Sequence, residues 1–523
     1  MKTDLSVRFY DKSTLGPDAS VAPGPGRSVS QSAVTAAINT PGPDAPAATT
    51  PSVAVRTEPG EPAGHKRRWL NLLIILFAPM ISVVDIFIVN VSLPTIQGYY
   101  GASDAKVQLV IAVYLIGYAV FLITGSRIGD RFGRKKVLFY GLLAFTVTSV
   151  LCGVAASIGQ LIVFRFFQGM AAAFMVPQTV TLIHLTFTEG NDRNKAFGYY
   201  GIVQGMAAIL GQFLGGYFIH AGWIKAPWRL SFLVNLPLGL LAAVMAAIFL
   251  EESTQNKQRK LDLRGVVLLT LTLISIIYPL TQGREYGWPL WSWAMLLGSP
   301  LWLYAFIRHL KKTDGTEHEP LINPGLFRIK SFNIGVLCVF FYFGLHNAFL
   351  LSCAILLQKG YHIPAYDASI FFTSLGGAYM FSSWWSIRNA GRYGIRMLQA
   401  GCVIMALSFI SQAFLFSGAV PSATAIVTCF AIFGLGSGLV LPSILNVSLR
   451  DVPPVFAGSS SGVYSTIQQF SSAAGVSMLG GLFFSMLANG SAFPSAYRVT
   501  LYCMIFYLLV IFLLLSRIRS VKK

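Results

Sequence analysis

Charge is the scarcest feature of this 523-residue chain, because only 11% of its residues are Asp, Glu, Lys or Arg. Soluble globular domains carry about 25% charged residues. Apolar residues make up 54% of the chain, and the mean hydropathy is +0.63. This composition argues against several soluble domains and favours a bundle of membrane-spanning helices, each of which needs roughly 20 mostly apolar residues.

Several chemical signatures are also missing from the sequence. No CxxC pair occurs and all six cysteines lie in apolar runs, so we predict neither disulfides nor a metal site. No Walker loop for ATP is present. The stretch GSSSG at 458–462 matches the nucleophile elbow of hydrolases, but it opens an apolar helix and follows no strand. We therefore expect no enzyme and no bound cofactor.

Long apolar runs are present after HKRR at 65–68 and continue almost to the C-terminus. They predict an all-α fold with fourteen spans near 69–93, 105–126, 137–157, 159–184, 196–218, 230–250, 265–282, 290–309, 332–356, 367–386, 397–417, 422–445, 459–485 and 499–517. Residues 1–64 are rich in Pro, Ala, Ser and Gly without an apolar run. This segment is predicted to be a disordered tail.

The Lys and Arg residues of the chain are concentrated at the ends of the apolar runs. With fourteen spans, 27 of the 39 Lys and Arg residues fall on the side of the two termini, and 6 fall in the opposite loops. This asymmetry predicts an inner-membrane protein with both termini in the cytoplasm. The net charge of +19 is spread over loops and forms no single basic face. We therefore predict contact with lipid headgroups and none with nucleic acid.

The loop after the second span, SRIGDRFGRKKV at 126–137, carries six charged residues out of twelve between two uncharged apolar runs. Its glycines permit a tight turn, and its Asp can pair with an Arg or cap a helix. With the preceding glycine it resembles the loop signature of the major facilitator superfamily. The resemblance implies a gating role for Gly125, Asp130, Arg131, Gly133 and Arg134. A weaker echo at 388–396, RNAGRYGIR, lacks the acidic residue.

Other stretches are similar to the fourteen-span drug/proton antiporters of that superfamily, the EmrB/QacA-like branch. They are VVDIFIVNVSLPTI in the first span, RFFQGMAAA from Arg165, WRLSFLVNLPLG from Trp228 and LDLRG at 261–265. The resemblance implies two six-helix bundles with an inserted helix pair. The expected divisions are the tail at 1–64, a first bundle at 65–252, a linker with the inserted pair at 253–312, and a second bundle at 313–523.

Two charged residues lie deep inside predicted spans, Asp85 in the first and Arg165 in the fourth. Both lie roughly 9–12 Å from the same membrane face, since a helix rises about 1.5 Å per residue. A direct or water-bridged contact is therefore expected. Because a carboxylate in hydrocarbon is costly, we predict that Asp85 couples transport to protons and that Arg165 tunes it. The alternative is an ion pair that only fastens the two helices.

Polar residues within the spans are further candidates for a substrate cavity. They are Tyr114, Gln168, Gln178, Gln212, His346 and Asn347, with Gln108 and Tyr118 in the second span. Gln168, Ala172, Met175 and Thr179 share one helical face with Arg165, and we predict that this face lines a cavity. Ordinary helix packing is the alternative.

The fifth span, GYYGIVQGMAAILGQFLGG at 198–216, has glycines at four-residue spacing. Such spacing allows close helix packing, which is one explanation. The stretch also resembles the glycine motif on the fifth helix of drug antiporters, and the residues concerned are Gly201, Gly205, Gly211, Gly215 and Gly216. Gln212 stands where that motif has proline, so the proline kink is absent.

The sequence thus predicts export of small amphipathic compounds in exchange for protons, by rocking of two bundles around a central site. The proton gradient takes the place of a cofactor, and lipid, protons and a small-molecule substrate are the expected partners. Whether a periplasmic adaptor also binds is left open. Rival interpretations are a proton symporter, a metabolite exporter of narrow specificity, a membrane sensor and a membrane-embedded enzyme.

Overall fold

The structure is a computed structural model that describes residues 65–187, 190–252, 262–283, 285–313, 321–418, 420–449, 451–453 and 457–517. The predicted tail at 1–64 lies outside the described residues, as does most of the linker before the inserted pair. Within the described residues all regular structure is helical. The predicted all-α fold is therefore confirmed.

Within the ranges given above, fourteen helical segments of membrane-spanning length follow one another. They are α1 (His65–Tyr100), α2 (Asp104–Phe132), α3 (Arg134–Val154), α4 (Ile158–Thr186), α5 (Gly190–Ala221), α6 (Pro227–Phe249), α7 (Leu263–Gln282), α8 (Leu290–Thr313), α9 (Lys330–Gly360), α10 (Ala365–Tyr393), α11 (Ile395–Leu415), α12 (Ala423–Leu449), α13 (Ala457–Gly475, Val476–Gly480 and Gly481–Ala488) and α14 (Phe493–Ser516). Thirteen are also apolar enough to cross a membrane, within the part of the chain that the structure describes. The exception is α10, whose 29 residues include many Ser, Trp and Tyr.

Three of these segments contain irregular turns. Helix α6 begins with the 3₁₀ turn Pro227–Arg229, where proline occupies the first position and removes an N–H that would have no helical partner. The π turns Leu356–Gly360 and Val476–Gly480 lie in α9 and α13. Turns of this kind interrupt regular α-helices and often occur at functional positions.

The packing of α1–α6 recurs in α9–α14. In the first group α2 packs on α4, α1 on α5, and α3 on both α4 and α6. In the second group α10 packs on α12, α9 on α13, and α11 on both α12 and α14. The same pairs therefore form after an offset of eight helices. The fold consists of two six-helix bundles, as the sequence predicts.

The two bundles meet along α2 with α13 and along α5 with α10. Helices α7 and α8 pack on each other, and α7 also contacts α2 and α13. The inserted pair therefore lies against one of the two seams between the bundles. Because the number of spans is even, α1 begins and α14 ends at the same membrane face. We call this the terminal face, and the other the opposite face.

Helices α2 and α4 cross so closely that only glycine fits at the contacts. A Cβ at Gly117, Gly125 or Gly169 would collide with a backbone carbonyl of the other helix, at Phe166, Ala173 and Tyr114 respectively. Small residues allow the backbones to approach, and dispersion contacts then stabilise the crossing in lipid. This crossing determines which side chains of α2 surround Arg165.

Candidate functional site: a buried ion pair between α1 and α4

The two deep charges form a direct ion pair. Nη1 of Arg165 lies 2.5 Å from Oδ2 of Asp85, and the side chains are 1% and 0% exposed. The expectation from matching helix depth is thus confirmed in its geometry. Each charge compensates the other, which is the condition under which buried charges persist in a low-dielectric interior.

The carboxylate of Asp85 also accepts two amide hydrogen bonds. Nε2 of Gln168 donates to Oδ1 at 2.7 Å, and Nδ2 of Asn235 donates to the same oxygen at 3.0 Å. The carbonyl oxygen of Gln168 accepts from Nη1 of Arg165 at 2.9 Å. Gln168 therefore bridges the two charges, and side chains of α1, α4 and α6 meet at one carboxylate.

Aromatic rings and a backbone carbonyl hold the guanidinium of Arg165. Its Nε donates to the carbonyl oxygen of Val110 at 3.1 Å. Its Cζ lies 4.2 Å from the ring centroid of Tyr114 and 5.8 Å from that of Phe232. These distances fit cation–π contacts, which strengthen when the cation is removed from water. The Tyr114 hydroxyl is 3.0 Å from Oγ of Ser82 on α1, so Tyr114 connects α2 with the two helices that hold the pair, α1 and α4.

Asn235 is a member of the site that sequence reasoning missed. Its Nδ2 also donates to Oγ of Ser149 at 2.9 Å, and that hydroxyl donates to the carbonyl oxygen of Phe232 at the same distance. Asn235 lies in WRLSFLVNLPLG, which the sequence analysis used only for a family resemblance. An amide inside an apolar run was the available signal, since a buried amide needs a hydrogen-bonding partner.

The rest of the predicted cavity face of α4 is packed against protein. Met175 contacts Gly141 of α3, and the hydroxyl of Thr179 donates to the carbonyl oxygen of Ile75 on α1 at 2.9 Å. Nε2 of Gln178 donates to the carbonyl oxygen of Gly125 at 2.9 Å. All three side chains are fully buried. Along this face the structure has helix packing, which was the alternative to a cavity wall.

The remaining cavity candidates lie apart from the ion pair. The ring of His346 on α9 stacks on Tyr342 and Phe433, with centroids 5.8 Å away on each side. Asn347 donates to Oγ of Ser472 on α13 at 2.9 Å. Gln212 is 3% exposed in α5. Within the described residues, none of these side chains forms a hydrogen bond with Asp85 or Arg165.

The charged loop turns at Gly133, whose φ of 102° favours glycine. Asp130 and Arg134 form an ion pair across this turn. Glu252, beyond α6, accepts hydrogen bonds from the backbone N–H groups of Lys135 and Lys136 at 3.1 and 3.3 Å. Sequence reasoning missed Glu252. A carboxylate at this helix start is favourable because four N–H groups there lack helical partners.

The α5 glycines divide into two groups. A Cβ at Gly211 or Gly215 would lie 2.6 or 2.7 Å from carbonyl oxygens of α1, and a Cβ at Gly216 would collide with Ser369 of α10. A Cβ at Gly205 would be 3.0 Å from Cγ of Met380. A Cβ at Gly201 would meet no atom within 4 Å. Close packing thus involves the half of α5 near the opposite face.

Comparison with known proteins identifies the family. The family model described as Major Facilitator Superfamily matches residues 75–476. The chain belongs to the Major Facilitator Superfamily. The match covers α1–α12 and the first part of α13, together with the ion pair and the charged loop. As a member of this transporter superfamily, the protein is a many-span membrane transporter and not an enzyme.

Curated relatives within the Major Facilitator Superfamily are described as antibiotic exporters and resistance proteins. A probable actinorhodin transporter of Streptomyces coelicolor is 33% identical over 86% of this chain and 76% of its own length. Puromycin resistance protein pur8 of Streptomyces alboniger is 31% identical over 79% and 81%. A tetracenomycin C resistance and export protein of Streptomyces glaucescens is 29% identical over 82% and 78%. The predicted resemblance to drug exporters is thereby confirmed.

Solved structures of the Major Facilitator Superfamily share this fold at low identity. A bacterial homologue of the human lysosomal transporter Spinster, inward-facing and occupied, aligns with a TM-score of 0.65 at 15% identity. The alignment covers 87% of this chain and 97% of that one. Similarity at this level supports the fold alone.

Among the described residues, no group of three or more His, Cys, Asp or Glu side chains could hold a metal ion.

Proposed function

We propose that this protein exports small amphipathic compounds from the cytoplasm in exchange for protons. The observation that carries the proposal is the buried Asp85–Arg165 pair, a titratable group placed where hydrocarbon surrounds the protein. The names of the curated relatives, which include export and resistance to antibiotics, support the direction of transport. Actinorhodin, puromycin and tetracenomycin C are accordingly the first substrates to test.

Proton coupling follows from the chemistry of the pair. A proton on Asp85 neutralises the carboxylate and removes its attraction for Arg165. The guanidinium then keeps the carbonyl oxygens of Gln168 and Val110 as acceptors, but it loses its counterion. The protonated and ionised states therefore favour different arrangements of α1 relative to α4. Such a difference is what an alternating-access cycle needs to connect proton uptake with rocking of the bundles.

The polar contacts between the bundles suggest which side is closed. Nε2 of Gln358 on α9 donates to the carbonyl oxygen of Val91 on α1 at 3.0 Å. Nζ of Lys359 donates to Oε1 of Gln97 at 2.6 Å. Both contacts lie near the opposite face, at the ends of α1 and α9. We infer that this arrangement is closed at the opposite face and that transport requires these hydrogen bonds to break.

We also propose that the terminal face is cytoplasmic and that the protein resides in the inner membrane. The support is the distribution of Lys and Arg, 27 residues against 6. Cytoplasmic loops carry an excess of these residues because cations are retained on that side during insertion. The closed face would then be periplasmic, and substrate would enter from the cytoplasm or the inner leaflet.

The test uses purified full-length protein in proteoliposomes with a pH gradient and a fluorescent pH reporter. The probes are ethidium, puromycin and tetracenomycin C. In the wild type, a substrate is expected to release protons down their gradient while it moves uphill. Asp85→Asn should abolish uphill movement but retain exchange of labelled for unlabelled substrate, because exchange needs no net proton transfer.

The matched control is Asp192→Asn, the same chemical change in a surface pair with Lys195 at the start of α5. It should leave proton-driven transport at the wild-type level. Uphill transport by Asp85→Asn would refute the coupling role. Movement of substrate and protons in the same direction would identify a symporter, and activity with metabolites but none of the three probes would identify an exporter of narrow specificity.

A further inference from the structure

A groove on the outside of the first bundle takes no part in the proposed proton coupling, although one of its residues, Arg131, belongs to the charged loop. It lies between the end of α2 and the start of α3, has a volume of about 770 Å³, and reaches α4 at Phe174. Tyr140 and Ala144 of α3 are exposed along it, and the buried Gly141 also lines it. Its size falls within the range of about 300–1,000 Å³ that is typical of ligand clefts.

The groove runs from the level of the lipid headgroups into the hydrocarbon region. Lys136 lines it at the first turn of α3, and Tyr140 and Ala144 follow four and eight residues later. At about 1.5 Å per residue these side chains lie roughly 6 and 12 Å deeper. The groove thus combines a cationic mouth at the membrane surface with an apolar wall beneath it. A molecule that fills the groove must therefore have an anionic group at the membrane surface and an apolar part below it.

The two cations at the mouth have no anionic partner in the part of the chain that the structure describes. The guanidinium of Arg131 lies 5.3 Å from the ring centroid of Phe132, and no ion pair is formed by Arg131 or Lys136 there. Neighbouring cations differ, because Arg134 pairs with Asp130 and Arg67 pairs with Glu251. Glu252 accepts hydrogen bonds from the backbone N–H groups of Lys135 and Lys136.

We propose that this groove binds one anionic phospholipid from the leaflet at the terminal face. The phosphate lies between Arg131 and Lys136, and one acyl chain lies along Tyr140, Gly141 and Ala144. A free phosphate would leave the apolar wall exposed to lipid without a role, and a zwitterionic lipid would bring its own cation next to the two cations at the mouth. The complementarity of charge and depth therefore selects an anionic lipid. The site is independent of the proposed transport function.

The test measures phosphatidylglycerol bound to the purified full-length protein by native mass spectrometry, with phosphatidylcholine as the neutral reference. Lys136→Gln is expected to weaken phosphatidylglycerol binding about fivefold, the effect of one cation near an anionic surface. Lys135→Gln is the charge-matched control, because Lys135 does not line the groove. It should have a much smaller effect.

A second variant tests the apolar wall. Ala144→Phe fills the groove and should remove the bound lipid, whereas Val163→Phe, at an exposed position of α4 outside the groove, should not. Equal effects of Lys136→Gln and Lys135→Gln would overturn the proposal. So would unchanged binding in Ala144→Phe, or displacement of phosphatidylglycerol by inorganic phosphate alone or by ethidium.

Discussion

At the scale of single residues, the Asp85–Arg165 pair combines a large desolvation cost with a complete set of partners. The carboxylate accepts from Arg165, Gln168 and Asn235, and the guanidinium has a carbonyl and an aromatic ring besides. Removal of both charges together should therefore destabilise the protein less than removal of one of them. Removal of one partner leaves an uncompensated buried charge.

We predict that Arg165→Gln destabilises the protein by about 3–5 kcal/mol, the usual cost of breaking a buried ion pair on one side. The double variant Asp85→Asn with Arg165→Gln should be more stable than Arg165→Gln alone, because it contains no unpaired charge. Thermal unfolding in detergent would measure both. A double variant less stable than either single variant would contradict this account of the pair.

A second buried polar side chain, Gln108 of α2, lacks hydrogen-bonding partners for both amide atoms within the described residues. Its side chain is 0% exposed and approaches Gly480, in the π turn of α13. We predict that Gln108→Leu raises stability by about 1–3 kcal/mol, because it removes an unsatisfied buried amide. Transport should slow, since the closed opposite face becomes more stable.

The control for this prediction is Gln168→Leu. Both ends of the Gln168 amide are hydrogen-bonded in the ion-pair site, so the same substitution should destabilise the protein there. Melting temperatures of the two variants should therefore shift in opposite directions. A loss of stability in Gln108→Leu would mean that the amide is satisfied in the folded protein.

At the scale of helices, close backbone contacts determine how α5 lies against α1. Gly211 is one such contact, while Gly201 faces open space. We predict that Gly211→Ala sharply lowers the melting temperature, because its Cβ would meet the carbonyl oxygen of Val84. Gly201→Ala should be neutral or slightly stabilising, since alanine favours helix over glycine by up to about 1 kcal/mol. Equal changes in melting temperature for the two variants would contradict this prediction, because they would mean that the contact between Gly211 and α1 does not determine the effect of the substitution.

The inserted pair is fastened by one carboxylate at its base. Oδ1 of Asp262 accepts from the backbone N–H of Gly265 at 2.8 Å and lies 2.7 Å from Nε2 of His309 on α8. Oδ2 accepts from the backbone N–H of Leu321 at 3.1 Å. Asp262 therefore caps α7 and connects it with α8 and with the segment that leads into α9.

The pKa of Asp262 lies below its ordinary value of 3.8. Burial raises this pKa, but the Gly265 and Leu321 N–H groups and His309 together lower it by more. A lowered folded-state pKa contributes stability that is present above the unfolded value and lost as the pH falls through the folded value. The cap is thus intact at neutral pH and weakens only in strong acid.

We predict that Asp262→Asn accelerates amide hydrogen exchange in the first turn of α7 at pH 7, because the amide lacks the charge that His309 and the helix terminus favour. The ratio of exchange in the variant to that in the wild type should approach one as the pH falls through the lowered folded-state pKa of Asp262. Exchange in α3, far from the cap, serves as the internal reference. A variant effect that persists unchanged in acid would contradict the electrostatic explanation.

At the scale of the whole molecule, two bundles with the same packing order meet along two seams and are further joined near the opposite face. Lys359 to Gln97 and Gln358 to the Val91 carbonyl are contacts that rocking must break. The π turn of α9 places Gln358 and Lys359 at this junction. The proposed transport cycle therefore requires α1 and α9 to separate at this junction.

We predict that a bifunctional thiol reagent applied to Gln97→Cys with Lys359→Cys stops transport and that reduction of a cleavable reagent restores it. Each single-cysteine variant, treated identically, should remain active. Cys503→Ser provides the background, because Cys503 is the partly exposed one of the six native cysteines. Full activity of the cross-linked double variant would mean that this junction does not open during transport.

Several properties of this protein depend on local composition and can be predicted without a structure. Low charge and long apolar runs specify the spans, and their number follows because a helix must satisfy its backbone within lipid. The charged loop and its resemblance indicated the superfamily. Asp85 and Arg165 stood out because charges deep in a span are rare, and their equal depth follows from the helical rise alone.

Which faces of the helices meet depends instead on contacts between residues that are distant in the chain. The tertiary structure brought Asn235 and Gln168 to Asp85, Glu252 to the start of α3, and Gln178 to the Gly125 carbonyl. In the tertiary structure the predicted cavity face of α4 packs against other helices, and the groove proposed to bind lipid lies beside α3. The physical reason is that hydropathy specifies how far a residue lies along a helix, whereas rotation about the axis and the choice of neighbour depend on contacts between distant glycines and side chains.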